Sequence, residues 1–194
     1  MSNAVQPDDT RFRYKLVLLF AVFAMPFVFS YAAYHFWKPG GKLSNYGELL
    51  PVRTLDGISG RLPDGRQFSL DQFKGKWVMV QLDGGACDAN CRTKLYYMRQ
   101  VRIAQGREQE RIERLWLVQD NARPEADLLK QYEGTAAVRV DTDVRAQFPA
   151  AARPEDYIYL VDPLGNLMLR FPKNPDPRGM IKDLKHLLKA SQIG

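Results

Sequence analysis

The sequence predicts an α/β domain, a mixed sheet flanked by helices, behind an N-terminal transmembrane helix. Three observations predict it: an uncharged apolar run near the N-terminus, short β-rich runs alternating with helical patterns in the rest of the chain, and a cysteine pair where one such strand gives way to a helix.

From Leu16 to Trp37 the chain carries no Asp, Glu, Lys or Arg, and a helix of that length reaches roughly 33 Å, enough to cross a bilayer. Pro26 near its middle is tolerated better by a membrane helix than by a soluble one. Tyr31, Tyr34 and Trp37 suit an aromatic belt at its outer end. The run exceeds the apolar region of a cleaved signal peptide, and no small-x-small cleavage site follows it, so residues 16–37 are expected to stay as an anchor. Arg11, Arg13 and Lys15 precede the span, whereas Lys38 and Lys42 are the nearest basic residues after it, which places the 1–15 tail in the cytoplasm. Asp8 and Asp9 argue against an acid-poor organelle transit peptide. The expectation is a single-pass protein of a bacterial inner membrane with its C-terminal domain in the periplasm, a compartment that permits disulfides. Residues 38–50, opening Lys38-Pro39-Gly40-Gly41-Lys42, read as a linker, and residues 51–194 as one domain.

Within that domain Arg61 to Leu70 holds an Asp64-Gly65 turn between short candidate strands, a hairpin ahead of the main fold. Trp77-Val78-Met79-Val80-Gln81-Leu82 is an apolar strand, and Asp83-Gly84-Gly85-Ala86 breaks it. Leu95, Met98 and Val101 then repeat at helical spacing. Leu115-Trp116-Leu117-Val118 is a second strand, parallel to the first if the helix between them is a right-handed crossover. A helix follows from Pro124 to Tyr132. Ala136–Val140 and Tyr157–Val161 read as strands, and Asp162-Pro163-Leu164-Gly165 turns the latter into a hairpin with Leu167–Phe171. Asp176 and Pro177 suit N-cap and N1 of a last helix with Ile181, Leu184, Leu187 and Leu188 on one face.

The net charge of +6 suits an anionic lipid surface or an acidic partner, but such a balance more often marks a merely solvated surface. Arg107 to Arg114 mixes both signs and reads as an exposed helical face, so no nucleic acid is expected as a partner. There is no Gly-rich phosphate loop, zinc-type Cys/His set or Ser-His-Asp constellation.

Cys87 and Cys91 are the only two cysteines. They sit near a helix start, where unpaired N–H groups and the macrodipole stabilise a thiolate. Arg92 and Lys94 are expected to reinforce this effect, and Asp83 and Asp88 to oppose it. A four-residue offset on a helix would let both sulfurs hold one soft metal ion; a first cysteine in the preceding loop would instead relax the geometry toward a disulfide. Copper binding and dithiol–disulfide exchange are both open, as is a purely structural pair. The Gly84-Gly85 approach suggests an accessible site.

The dithiol at the first helix, the Tyr159-Leu160-Val161-Asp162-Pro163-Leu164-Gly165 hairpin and the final amphipathic helix together resemble a thioredoxin-like domain, and more narrowly the Sco/SenC family. That resemblance implies a membrane-anchored, thioredoxin-like copper protein that helps assemble the copper centre of cytochrome c oxidase. Cys87 and Cys91 would be thiolate ligands and redox residues, and the oxidase's copper-receiving subunit the partner. The chain departs from the family pattern twice. Asp88 follows Cys87 where the family has proline, and Pro154, in Ala151-Ala152-Arg153-Pro154-Glu155-Asp156, takes the place of the family's ligand histidine. The chain's only histidines, His35 and His186, read as an interfacial residue and a polar-face helix residue. Three functions follow: a Sco-like assembly factor, a thiol–disulfide oxidoreductase acting through Cys87, or a binding module without chemistry.

Overall fold

The computed structural model describes residues 9–36, 45–150, 153–191 and 193; Trp37, linker residues 38–44 and tail residues 1–8 lie outside these. The chain divides into two compact units, residues 1–44 and 45–194.

In the first unit α1 (Asp9–Phe36) runs unbroken through Pro26. From Arg13 to Phe36 it is long and apolar enough to cross a membrane. It starts earlier than expected and includes basic residues assigned to the tail.

The second unit is built on one eight-stranded mixed sheet. In chain order its strands are β1 (Glu48–Thr54), β2 (Ser59–Arg61), β3 (Gln67–Ser69), β4 (Trp77–Asp83), β5 (Ile112–Val118), β6 (Thr135–Val140), β7 (Ile158–Val161) and β8 (Asn166–Phe171), and across the sheet they run β1-β8-β7-β4-β5-β6-β2-β3. The helices are α2 (Ala89–Ile103), α3 (Ala126–Gln131) and α4 (Pro177–Ala190). β4 is parallel to β5 and antiparallel to β7, with every one of its residues buried. Burial on both faces is why this strand reads as a nearly continuous apolar run.

Three differences from the sequence expectations have simple causes. β1 begins inside the stretch read as linker because Asp183, buried on α4, accepts the Tyr46 and Gly47 N–H groups at 3.0 and 2.7 Å, and so holds the start of the strand. The Asp64-Gly65 hairpin is not a separate preamble: β2 also pairs with β6, which adds the hairpin to the sheet edge. Arg107 to Arg114 is not one helical face. It is a 3₁₀ turn (Gly106–Arg111) running into β5, in which Arg111 donates to the carbonyls of Leu188, Ser191 and Ile193 and so closes the C-terminus of α4.

The side-chain period of two divides the core. Trp77 and Met79 of β4 and Trp116 of β5 pack with Leu95 and Met98 of α2, Leu128 of α3 and Leu184 of α4. On the opposite face Val78, Val80 and Leu82 pack with Phe68, Phe148 and Tyr159. The same period aims Gln81 and Asp83 at the α2 face, at the end of β4 nearest the thiols.

Candidate functional site

The site is the turn from β4 into α2. Gly84 and Gly85 lead out of the strand against the loop after β5: a Cβ on Gly85 would collide with the Ala122 carbonyl, and one on Gly84 with the Asp120 carboxylate. Asp120 accepts the Gly85 N–H at 2.8 Å and the Ala122 N–H at 3.1 Å, tying the two loops together. Cys87 follows in the left-handed region with φ 47°, outside the helix. Asp88 is the N-cap of α2, and its carboxylate accepts the Cys91 N–H at 2.9 Å. A residue that departs from the Sco/SenC pattern is thus a sound helix start in its own right.

Cys87 and Cys91 are joined in a disulfide with Cα atoms 5.1 Å apart. The loop position of the first cysteine makes the bridge compatible with a helical second one. Both are buried, Cys87 at 3% and Cys91 at 0% relative exposure, so the accessible pair suggested by the glycines is instead a covered one, with Cys87 on the loop side. Gln81, fully buried, donates from Nε2 to the Cys91 sulfur at 3.4 Å.

Lys94 does not reinforce the thiolate. Its ammonium is buried and paired with the Asp83 carboxylate at 2.6 Å, and it also donates to the carbonyls of Leu82 and Glu155. Burial pushes the Asp83 carboxyl up to about 6 against the pull of Lys94, and burial likewise pushes Lys94 below its ordinary value. Arg92 does lie at the site: it donates to the Cys87 carbonyl at 3.2 Å and pairs with Glu125 at 3.1 Å.

The loop that carries the histidine in the resembling family forms a 3₁₀ turn, Pro154–Asp156. It turns the Glu155 carbonyl toward Asn90 and Lys94, and Pro154 at its start carries no donor side chain; Ala151 and Ala152 lie outside the described residues. His186 is exposed on α4. His35 stacks on Tyr31 in α1, with ring centroids 6.1 Å apart. Among the described residues no three His, Cys, Asp or Glu side chains come together as a metal-holding group. The pair therefore offers two soft sulfur donors once reduced, and the three-ligand set implied by the resemblance is not assembled here.

Sequence reasoning missed Gln81 and the Asp83–Lys94 pair. The signal was present in the alternation Trp77, Met79, Gln81, Asp83, which puts two polar residues on the face that α2 covers.

The family model described as transmembrane-like, thioredoxin-like, C-terminal domain matches residues 77–191, from the first residue of β4 past the end of α4. No curated protein matches the chain. Among solved structures, yeast Sco1 with copper bound superposes with a TM-score of 0.58 at 17% identity over 78% of this chain and 96% of that one. A thiol:disulfide interchange protein from Bacteroides sp. gives 0.51 at 19% identity, covering 77% and 95%. BsSco, a Sco-family cytochrome c oxidase assembly protein with a disulfide switch, gives 0.51 at 15% identity, covering 71% and 95%. At these identities the likeness is one of fold, a thioredoxin-like fold of the Sco kind.

Proposed function

The chain belongs to the family of transmembrane-like proteins with a thioredoxin-like C-terminal domain, and from that premise we propose that it is a membrane-anchored dithiol–disulfide exchange protein acting through Cys87 and Cys91. The observation that carries this reading is the disulfide between a loop cysteine and a cysteine in the first turn of α2.

In the reduced protein the Cys87 thiolate attacks a disulfide of a partner, forming a Cys87–partner bond and releasing one partner sulfur, which takes up a proton. The Cys91 thiolate then attacks Cys87 sulfur, re-forms the Cys87–Cys91 bond and releases the second partner thiol. Two electrons and two protons pass to the partner. The N–H groups at the start of α2 favour the thiolate form. Gln81 supports the anion on Cys91, and Arg92 fixes the Cys87 carbonyl and with it the loop.

The fold shared with Sco proteins supports a partner of one kind, the copper-receiving subunit of cytochrome c oxidase, whose cysteines this chain would reduce. The anchor α1 and the compartment that disulfides require support a single-pass protein of a bacterial inner membrane, with the unit of residues 45–194 in the periplasm. Copper carriage by the same two sulfurs is a second reading, favoured by their meeting at one helix start. Copper is then cargo, with a third ligand supplied by the partner.

The test uses the full chain, reduced, in lipid nanodiscs with a peptide disulfide that copies a copper-site cysteine pair. Exchange yields two peptide thiols per chain and is lost in both Cys87→Ser and Cys91→Ser. A copper(I) titration of the same samples reads the second function: stoichiometric retention that needs both cysteines supports carriage. Neither exchange nor retention would leave the pair a structural bridge.

A further inference from the structure

Arg61 and Arg139 are direct partners across β2 and β6, so their side chains rise on the same face of the sheet edge. Like charges at such positions are destabilising unless something anionic shares them. Both are exposed, and both line a groove of about 460 Å³ together with Arg123 from the loop after β5. Among the described residues none of the three is ion-paired. Two acids of the neighbouring loops are already engaged: Asp64 holds Arg66 at 2.7 Å and Glu125 holds Arg92 at 3.1 Å. The rest of the wall is largely apolar, with Leu62, Pro124 and Leu129.

The groove adjoins the thiols. The loop that carries Arg123 and Pro124 is the one that Asp120 ties to Gly85, and Arg92 spans from the Cys87 carbonyl to Glu125, the residue after Pro124. A segment lying in the groove is therefore carried past the loop that holds Cys87.

We infer that the groove docks an acidic, partly apolar segment of the thiol-bearing partner protein beside the cysteine that exchanges with Cys87. This rests on the exchange reading above. The three unpaired guanidiniums take carboxylates, with Arg61 and Arg139 close enough to share one. The apolar wall takes the side chains between them, and a concave, half-apolar site suits a protein segment better than a flat lipid surface. A carboxylate of the bound segment relieves the mutual repulsion of Arg61 and Arg139, which makes the pair a recognition element.

The test uses the reduced full chain in nanodiscs of zwitterionic lipid and two disulfide-linked peptide dimers. One alternates glutamate with leucine around a single cysteine, and the other replaces each glutamate by glutamine. The acidic dimer is expected to be reduced about tenfold faster at low salt, with the advantage shrinking as salt rises. The double variant Arg61→Gln/Arg139→Gln should lose the preference and keep the rate on the glutamine dimer, whereas Arg61→Lys/Arg139→Lys should keep most of the preference. Equal wild-type rates for the two dimers would overturn the groove and leave exchange intact. Anisotropy of the labelled acidic peptide on the oxidised chain separates the opposite failure: binding lost in the glutamine variant, without any exchange, would keep the groove and sink the exchange reading. An Arg61- and Arg139-dependent attachment to phosphatidylserine vesicles with no peptide preference would also overturn the proposal, assigning the arginines to the membrane surface.

Discussion

Gln81 of β4 places its side-chain amide 3.4 Å from the sulfur of Cys91 in the first turn of α2, and both residues are fully buried. Its Oε1 has no partner among the described residues. The amide can therefore serve either state of the reduced sulfur, donating to a thiolate or accepting from a thiol. Replacing Gln81 by Leu removes the donor in a site where water cannot substitute for it. The reduction potential of the pair should move to more negative values, because the amide's hydrogen bond is stronger to a thiolate than to a disulfide sulfur and its loss costs the reduced form more.

Cys87 sits on the loop side and Cys91 behind it, so the two single variants are expected to behave differently. Cys91→Ser keeps the attacking sulfur but cannot resolve the intermediate, and should accumulate a mixed disulfide with the peptide substrate. Cys87→Ser should trap almost none. Mass spectrometry after acid quenching distinguishes them, and equal trapping by both would contradict the assignment of Cys87 as the attacking thiol.

Asp83 and Lys94 form the buried pair of the site, with side-chain exposures of 8% and 2%. Removing one partner leaves an uncompensated buried group, so Lys94→Met is expected to cost about 3–5 kcal/mol near neutral pH. The double variant Asp83→Leu/Lys94→Met should recover most of that loss, because an apolar pair of similar size needs no desolvation. Urea unfolding of the three proteins measures both effects.

The same pair sets a pH dependence. Burial raises Asp83 from 3.8 in the unfolded reference to about 6 in the fold, so between those values the native state binds more protons than the unfolded chain. Its contribution to stability is full below the unfolded value and falls as pH rises through about 6. Wild-type stability relative to Asp83→Asn should therefore decline between about pH 4 and pH 6.5. A constant difference across that range would contradict it.

Gly85 carries the close approach of the thiol loop to Ala122. Gly85→Ala should destabilise the domain by about 1–3 kcal/mol, the usual range for forcing extra atoms into a packed site. It should also shift the reduction potential, since the displaced segment leads directly into Cys87. Gly57→Ala meets no neighbouring atom and strains only a left-handed turn, so it should leave the potential unchanged.

What the sequence revealed of this fold depended on signals that are local. The apolar run of β4, the Asp162-Pro163 turn and the Asp176-Pro177 cap are each encoded within a few residues, and each element is found where its pattern places it. β1 was not legible because its start depends on Asp183, more than a hundred residues away, and its own exposed positions show no regular alternation. At the site, Cys87 and Cys91 were legible from rarity and spacing. Lys94 was misread because charge alone does not tell which way a long side chain turns. It turns inward, toward a carboxylate that β4 brings to the same face. Gln81 stood in plain view within the strand, but its meaning depends on α2 folding back over β4.

The central claim is that the Cys87–Cys91 bridge is made and broken in use. The most direct measurement is its equilibrium with defined thiol buffers in the full-length protein in nanodiscs, read by alkylation and mass. An exchange protein should cycle reversibly with a potential above about −300 mV, in the range of known thiol–disulfide partners. A pair that stays oxidised below that value, or that unfolds the domain when reduced, would be a structural bridge and would contradict the account.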